Sequence, residues 1–412
     1  MKKWLSAILM SCILLVSQGV YASGEPIHVK IGPTSSSVQL KSDGGVLKNG
    51  ASVGSAVDVT ASRVSEGDVF SSPNGFLVVN GKPYRGSVRF QKRGSSLETI
   101  NIVDVDDYIR GVLPKEIGTS THIEALKTQA IVSRSFAYFN WNKFAKQGYN
   151  LDDTTASQAY AGMSVESKNT DRAVFETRGE LLYYKGSVAN TIFHATSGGR
   201  TESIEDVWGG NPVPYLKSMP DPYSIETNHS TWKATFKKSD FSRRFPEIGT
   251  PKAIRVIDRT QGGRIKTLEL VGTSGSKKMT GNQFRMQMGP VTLKSTDFDT
   301  SPIDRPTGEE QPAVITASGT VPLGNQSIIS STGIVPFIRS TILTASGVKP
   351  FAGEKAAASA SDYMVLGDST TFYGRGYGHG VGLSQYGAIN MAESGMGYKD
   401  ILMFYFPGTY IQ

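Results

Sequence analysis

The chain has 412 residues, with 43 Lys and Arg against 36 Asp and Glu, a formal net charge of +7, and one cysteine. A lone cysteine, Cys12, excludes an internal disulfide framework. Beyond residue 22 no stretch reaches the roughly 18 unbroken apolar residues of a membrane-spanning helix. Residues 1–22 read as a secretory signal: Lys2 and Lys3 precede an apolar run from Trp4 to Val16, and Val20-Tyr21-Ala22 offers small residues for cleavage near Ala22. Cys12 also permits a lipoprotein reading, against which the apolar run continues from Ile13 to Val16. An exported chain is expected, and loss of Lys2 and Lys3 lowers its excess from +7 to +5. That modest basic balance favours anionic partners, which outside the cytoplasm means wall polymers. No Lys/Arg cluster with interleaved aromatics points to nucleic acid.

From Ile27 to Glu98 apolar and polar residues alternate, and Asn80-Gly81 marks a hairpin turn, so residues 23–95 are expected to form a β-rich region. The spacing then predicts a strand from Thr99 to Leu113, stopped by Pro114, with Glu116 in the connection that follows. A helix is expected from Thr121 as N-cap, with Glu124 completing a capping box, to about Lys146. Its apolar stripe takes Ile123, Leu126, Ala130, Ala137 and Trp141 and carries Arg134 with it, so Arg134 should point inward and need a partner. Residues 301–357 are rich in Pro, Ser, Thr and Gly with little sustained periodicity and read as an insertion. A glycine-dense segment, Gly374 to Gly382, precedes helices expected at Leu383–Glu393 and from Tyr398 to Pro407-Gly408. Strand-dense sequence without a βαβ pattern predicts an α+β fold, a mixed and largely antiparallel sheet with a few packed helices. Its groove would lie where the Glu116 connection meets the glycine-rich segment.

Several residues invite chemistry. Glu116 beside a Pro-induced bend is either presented to a cleft or is a solvated carboxylate at a helix start. Arg134 is either a substrate clamp or the partner of Glu124, Asp106 or Asp107. A continuous helix would hold Glu116 and Arg134 some 27 Å apart, so Gly118 to Thr121 must break it if they cooperate. Gly374-Arg375-Gly376-Tyr377-Gly378-His379-Gly380 fits no phosphate-loop or dinucleotide spacing, which argues against nucleotide. Alternate glycines instead suggest a backbone closely approached by another segment. His194 and Ser197 raise the question of a nucleophile, but no nucleophile elbow surrounds them, and the Gly50–Gly54 match lacks a strand, turn and helix. Histidines at 28, 122, 194, 229 and 379 lack metal-binding spacing, and no metal is assigned.

Five ordered blocks, Val103–Glu116, Glu124–Ala137, His194–Gly199, Asp206–Gly209 and Gly378–Gly387, together resemble the stage II sporulation protein D and LytB family. The resemblance covers residues 96–300 and 358–412 as a core. It implies a lytic transglycosylase that breaks the bond between N-acetylmuramic acid and N-acetylglucosamine in peptidoglycan glycan strands, leaving a 1,6-anhydro end. Glu116 corresponds to the family's catalytic acid and base and Arg134 to its helix arginine, so the resemblance implies that both face the cleft as catalytic residues. His194, Ser197, Trp208, Tyr160, Tyr377, His379 and Gln385 are then expected to bind the glycan, by stacking or by bonds to hydroxyl and acetamido groups. Such chemistry needs no cofactor. Some family members carry cysteines near the block at His194 that are associated with zinc, and this chain lacks them. Other members are described as modifiers of wall amidases, so a wall amidase is an expected partner under an alternative, non-catalytic reading.

Overall fold

The computed structural model describes residues 24–225, 227, 229–302 and 362–412 and six short strands within 313–350; the expected signal at residues 1–22 lies outside them. The fold is α+β, as the sequence predicts. Strands β1 (Ile27–Ser35), β2 (Ser37–Lys48), β3 (Ala51–Thr60), β4 (Val69–Ser71), β5 (Phe76–Val79), β6 (Lys82–Arg85), β7 (Ser87–Arg93), β8 (Ser96–Val103) and β9 (Leu151–Asp152) form one sheet in the order β6-β5-β2-β4-β7-β8-β1-β9, with β3 beside β2. All its pairs are antiparallel except β1 with β9. Alternate residues of β1, Ile27, Val29 and Ile31, are buried while their neighbours are half-exposed, the period-2 pattern of a sheet with one covered face. Asn80 and Gly81 both take positive φ between β5 and β6, and Val79 faces Lys82 across the turn.

The expected strand through Leu113 is corrected. β8 stops at Val103, and Val105–Ile117 is a helix, α1. Asp104 caps it, its carboxylate accepting from the N–H groups of Asp106 and Asp107 at 2.8 and 3.4 Å. Tyr108, Ile109, Val112 and Leu113 are all buried, recurring at i, i+1, i+4 and i+5 as one helical face does and as the alternation of a strand does not. Pro114 lies within the last turn of α1, and Gly118, at positive φ, ends the helix. Glu116 therefore stands on a helix rather than in a loop.

The second helix, α2, runs Ile123–Phe139, shorter than the sequence suggests, with only a single turn at Ala145–Gln147 beyond it. His122 caps α2 instead of Thr121, whose hydroxyl donates back to Ile117 O at 2.7 Å. Glu124 makes no capping box; it accepts from Lys127 and from the Tyr398 N–H, both at 2.9 Å. Leu126, Ala130 and Ala137 pack with the sheet, as the stripe predicts. Ala125, Ile131 and Val132 pack on the opposite side, against helices α7 (Gln385–Glu393) and α8 (Tyr398–Tyr405). The helix is thus buried on two faces, which a one-sided stripe does not reveal. Between these elements run α3 (Lys168–Glu176), α4 (Ile204–Trp208), α5 (Lys238–Arg244) and α6 (Gly281–Met288). A separate core gathers Phe236, Phe241, Phe245, Phe284, Phe298 and Phe372 under the sheets of residues 231–299 and 363–375. Among the described residues no helix is long and apolar enough to cross a membrane.

Within residues 313–350, read from the sequence as lacking sustained periodicity, the strands form a regular series. Three hairpins, Ala313–Thr316 with Gly319–Pro322, Ser327–Ser330 with Gly333–Pro336, and Thr341–Thr344 with Gly347–Pro350, start 14 residues apart. Each second strand opens on Gly and closes on Pro.

The β-rich region and α1 share one core: Ile27, Leu40, Val88 and Leu97 belong to the same cluster as Tyr108, Val112 and Leu126. Across that boundary Arg85 of β6 donates to Glu166 at 2.8 and 2.7 Å, and Arg110 of α1 donates to the same carboxylate at 2.8 Å. A protein beginning at residue 96 is therefore expected not to fold. Uncovering Tyr108, Ile109, Val112 and Leu113, at about 1.5–3 kcal/mol each, removes most of the 5–15 kcal/mol that a typical fold has in hand. Circular dichroism of the truncated chain should show no cooperative melt.

Candidate active site

Glu116 occupies the last turn of α1, half-buried. Its Oε1 accepts from the Ala159 N–H at 2.9 Å. Burial raises the carboxyl pKa above its ordinary value, opposed by that N–H and by the charge of Lys115. Its main-chain carbonyl accepts from Gln385 Nε2 at 3.1 Å, where α7 begins. The expected meeting with the glycine-rich segment is therefore displaced: Glu116 touches the start of α7, which follows the glycines, through Gln385.

The glycine-rich segment is interlaced with the His194 block. Phe193 and His194 pair in parallel with Leu383 and Ser384, and Thr196 bridges Tyr377. The alternate glycines permit this approach: a Cβ on Gly376 would sit 2.8 Å from Ser197 O, and one on Gly378 would sit 2.7 Å from His194 Cβ. Arg264, which no motif pointed to, is buried and donates to Ser197 O at 2.9 Å and Gly378 O at 2.8 Å, joining the two segments.

His194 and His379 hold this junction from one residue. Val381 N–H donates to His379 Nδ1 at 3.0 Å, and Val381 O lies 3.1 Å from His194 Nδ1. Burial is the largest influence lowering both imidazole pKa values, with the Arg264 charge adding to it. Ser197 Oγ donates to the buried Asp221 carboxylate at 2.8 Å and lies 2.5 Å from Ser224 Oγ. His194 and Ser197 are thus interior residues that shape the junction. Tyr160 is likewise corrected from a stacking surface to core: it is 5% exposed, its ring lies against Tyr84 and Tyr108, and its hydroxyl donates to Asn101 at 2.8 Å.

Trp208 ends α4 at 47% exposure, its ring centroid 4.9 Å from that of His379. Tyr377 is partly exposed with Lys294 Nζ 5.3 Å from its ring centroid. These are the predicted site aromatics that reach the surface. Arg134 lies inward as its periodicity requires, 2% exposed, and its partner is Asp106. Nε donates to Asp106 Oδ1 at 2.8 Å, Nη1 to Glu180 O at 3.2 Å and Nη2 to Val174 O at 3.4 Å. These contacts tie the first turn of α1 to the last turn of α3 and to the loop that follows it. The structure brings Gln385 to Glu116, and it spends every described Arg134 contact on the fold.

The architecture defines an α+β protein in which a helix-borne carboxyl stands beside a glycine-rich junction. A family model described as stage II sporulation protein matches residues 93–184, the stretch that carries Glu116 and Arg134. A Brachyspira hyodysenteriae protein described as uncharacterized is 29% identical over 349 residues, 84% of this chain and 76% of that one. The amidase enhancer of Bacillus subtilis is 31% identical over 81% of this chain, which spans 44% of that protein's length. Stage II sporulation protein D of Bacillus subtilis is 25% identical over 76% of each. The chain belongs to the stage II sporulation protein D and LytB family, and its role is related to the cell wall.

Proposed function

We propose that this protein is an exported peptidoglycan lytic transglycosylase with Glu116 as its acid and base. The observation that carries the reading is the setting of Glu116: a half-buried carboxyl with a raised pKa, one oxygen engaged by a main-chain N–H. An oxygen accepting from an N–H is a poor seat for a proton, so the proton belongs on Oε2. Oε2 would protonate the glycosidic oxygen as the bond to C1 of N-acetylmuramic acid breaks. The carboxylate then takes the proton of that sugar's 6-hydroxyl as its oxygen closes on C1. Hydrolytic glycosidases need a second carboxylate to act as nucleophile or to activate water; here the sugar supplies the nucleophile. A carboxyl poised towards neutrality suits both proton transfers. Trp208 and Tyr377 offer aromatic faces to sugar rings.

A second reading, a non-catalytic modifier of a wall amidase, draws on the likeness to the amidase enhancer. Mass spectrometry of peptidoglycan, intact and stripped of stem peptides, after incubation with the chain from residue 23 onward separates the two. Anhydro-muramic ends on either substrate are the expected result. Glycan binding without such ends would favour the modifier.

A further inference from the structure

Behind Glu116 lies a chain of uncharged amides that no motif marks. Gln385 Nε2 donates both to Glu116 O at 3.1 Å and to Gln129 Oε1 at 3.3 Å. Gln129 Nε2 donates to Ser133 Oγ at 3.1 Å, and Gln158 Nε2 donates to Ser133 O at 3.3 Å. Gln158 Oε1 accepts from the Tyr108 hydroxyl at 3.2 Å, about two turns back along α1 from Glu116. The residue after Gln158 is Ala159, whose N–H holds Glu116 Oε1. The chain thus leaves Glu116 at its carbonyl, crosses α7 and α2, and returns through the 153–161 loop to its carboxylate. Gln129, Gln158, Gln385, Ser133 and Tyr108 are all buried.

Four elements meet here, and each buried amide costs about 1–3 kcal/mol if left unpaired, so the register in which all are satisfied is strongly selected. Amides suit this task because each both donates and accepts, carrying orientation onward without adding a charge next to Glu116. We infer that Gln129, Gln158 and Gln385 are positioning residues that hold the Glu116 carboxyl in its proton-transferring geometry, an inference that rests on the reaction proposed above. Gln385 then acts on the catalytic carboxyl from behind instead of on the glycan.

The test uses Gln158→Leu and Gln385→Leu in the chain from residue 23 onward, each first checked for a native-like melt. Displacement of the carboxyl by about 1 Å should lower kcat some tenfold to a hundredfold while KM stays within about twofold. Carbon-13 NMR of glutamate-labelled protein without glycan, with the Glu116 signal identified by its loss in Glu116→Gln, reads the site directly. In Gln158→Leu the Glu116 pKa should rise, because the Ala159 N–H that favours the carboxylate loses its anchor. Unchanged Glu116 titration and unchanged kcat in folded variants would overturn the inference. If Gln158→Leu does not fold, Gln385→Leu decides by its kcat against KM. A shifted titration in a protein whose native form yields no anhydro ends would uphold the positioning and sink the transglycosylase reading.

Discussion

Glu116→Gln is expected to abolish measurable glycan cleavage while leaving glycan binding intact. General acid–base transfer contributes about 10²–10⁴ in rate, and glutamine offers the same shape and the same acceptor to Ala159 N–H without a proton to give. Product formation by mass spectrometry and a pull-down on peptidoglycan measure the two properties separately. The same substitution should raise thermal stability at neutral pH. Burial raises the folded-state pKa of Glu116 above its ordinary value, so the native state holds this proton more tightly than the unfolded chain. Its favourable contribution is complete below the unfolded pKa and is lost as pH rises from there through the raised, folded value. Above that window the wild-type chain bears a buried charge that glutamine lacks. The gain in melting temperature should therefore be present at neutral pH and fade towards acid. A variant that still cleaves at the native rate, or a stability gain that grows as pH falls, would each sink this account of Glu116.

The parts of the fold that the sequence declared are those with strict local periodicity. Alternation at Ile27–Ile31 and the Asn80-Gly81 turn needed no tertiary context, and the helices after the glycine segment follow from their apolar spacing and terminal glycine and proline. Val105–Leu113 misled because a helix covered on one face by a sheet carries the same β-branched and aromatic residues as a strand; Asp104 as cap was the overlooked signal. Tyr160 and Gln385 carry polar ends that look available for a ligand, yet Asn101 occupies the first and Glu116 and Gln129 the second. Inward direction was legible for Arg134 from spacing, and Asp106 was one of three candidate partners; what spacing could not do was choose it over Glu124 and Asp107, because it lies 28 residues away on another helix. The glutamine chain behind Glu116 was invisible for the same reason: uncharged residues at 129, 158 and 385 share no local pattern.

Arg134→Met should destabilise the fold by about 3 kcal/mol, the order expected when one partner of a largely buried ion pair is removed. Methionine keeps the unbranched, apolar part of the side chain, so the loss reports the guanidinium. Without it Asp106 retains Arg178 at 3.3 Å, but the carbonyls of Val174 and Glu180 lose a buried donor. Val174 O belongs to the last turn of α3, where Ala173 O and Phe175 O accept main-chain N–H groups but Val174 O would keep only the Thr177 hydroxyl at 3.4 Å, so the end of α3 should fray first. In a double cycle with Asp106→Asn the two losses should fall short of additivity, since each removes the same bond. The catalytic consequence separates two roles. A residue that braces α1 from its first turn acts on Glu116 only through the helix, so cleavage per folded molecule, assayed well below the melting temperature, should stay within about tenfold of native. A loss of about a thousandfold with circular dichroism and melting unchanged would instead put the guanidinium in contact with the transition state, as the family resemblance first implies. The geometry favours the brace: the buried guanidinium already donates to Asp106, Glu180 and Val174, and engaging a glycan would require breaking bonds that hold the helix carrying Glu116.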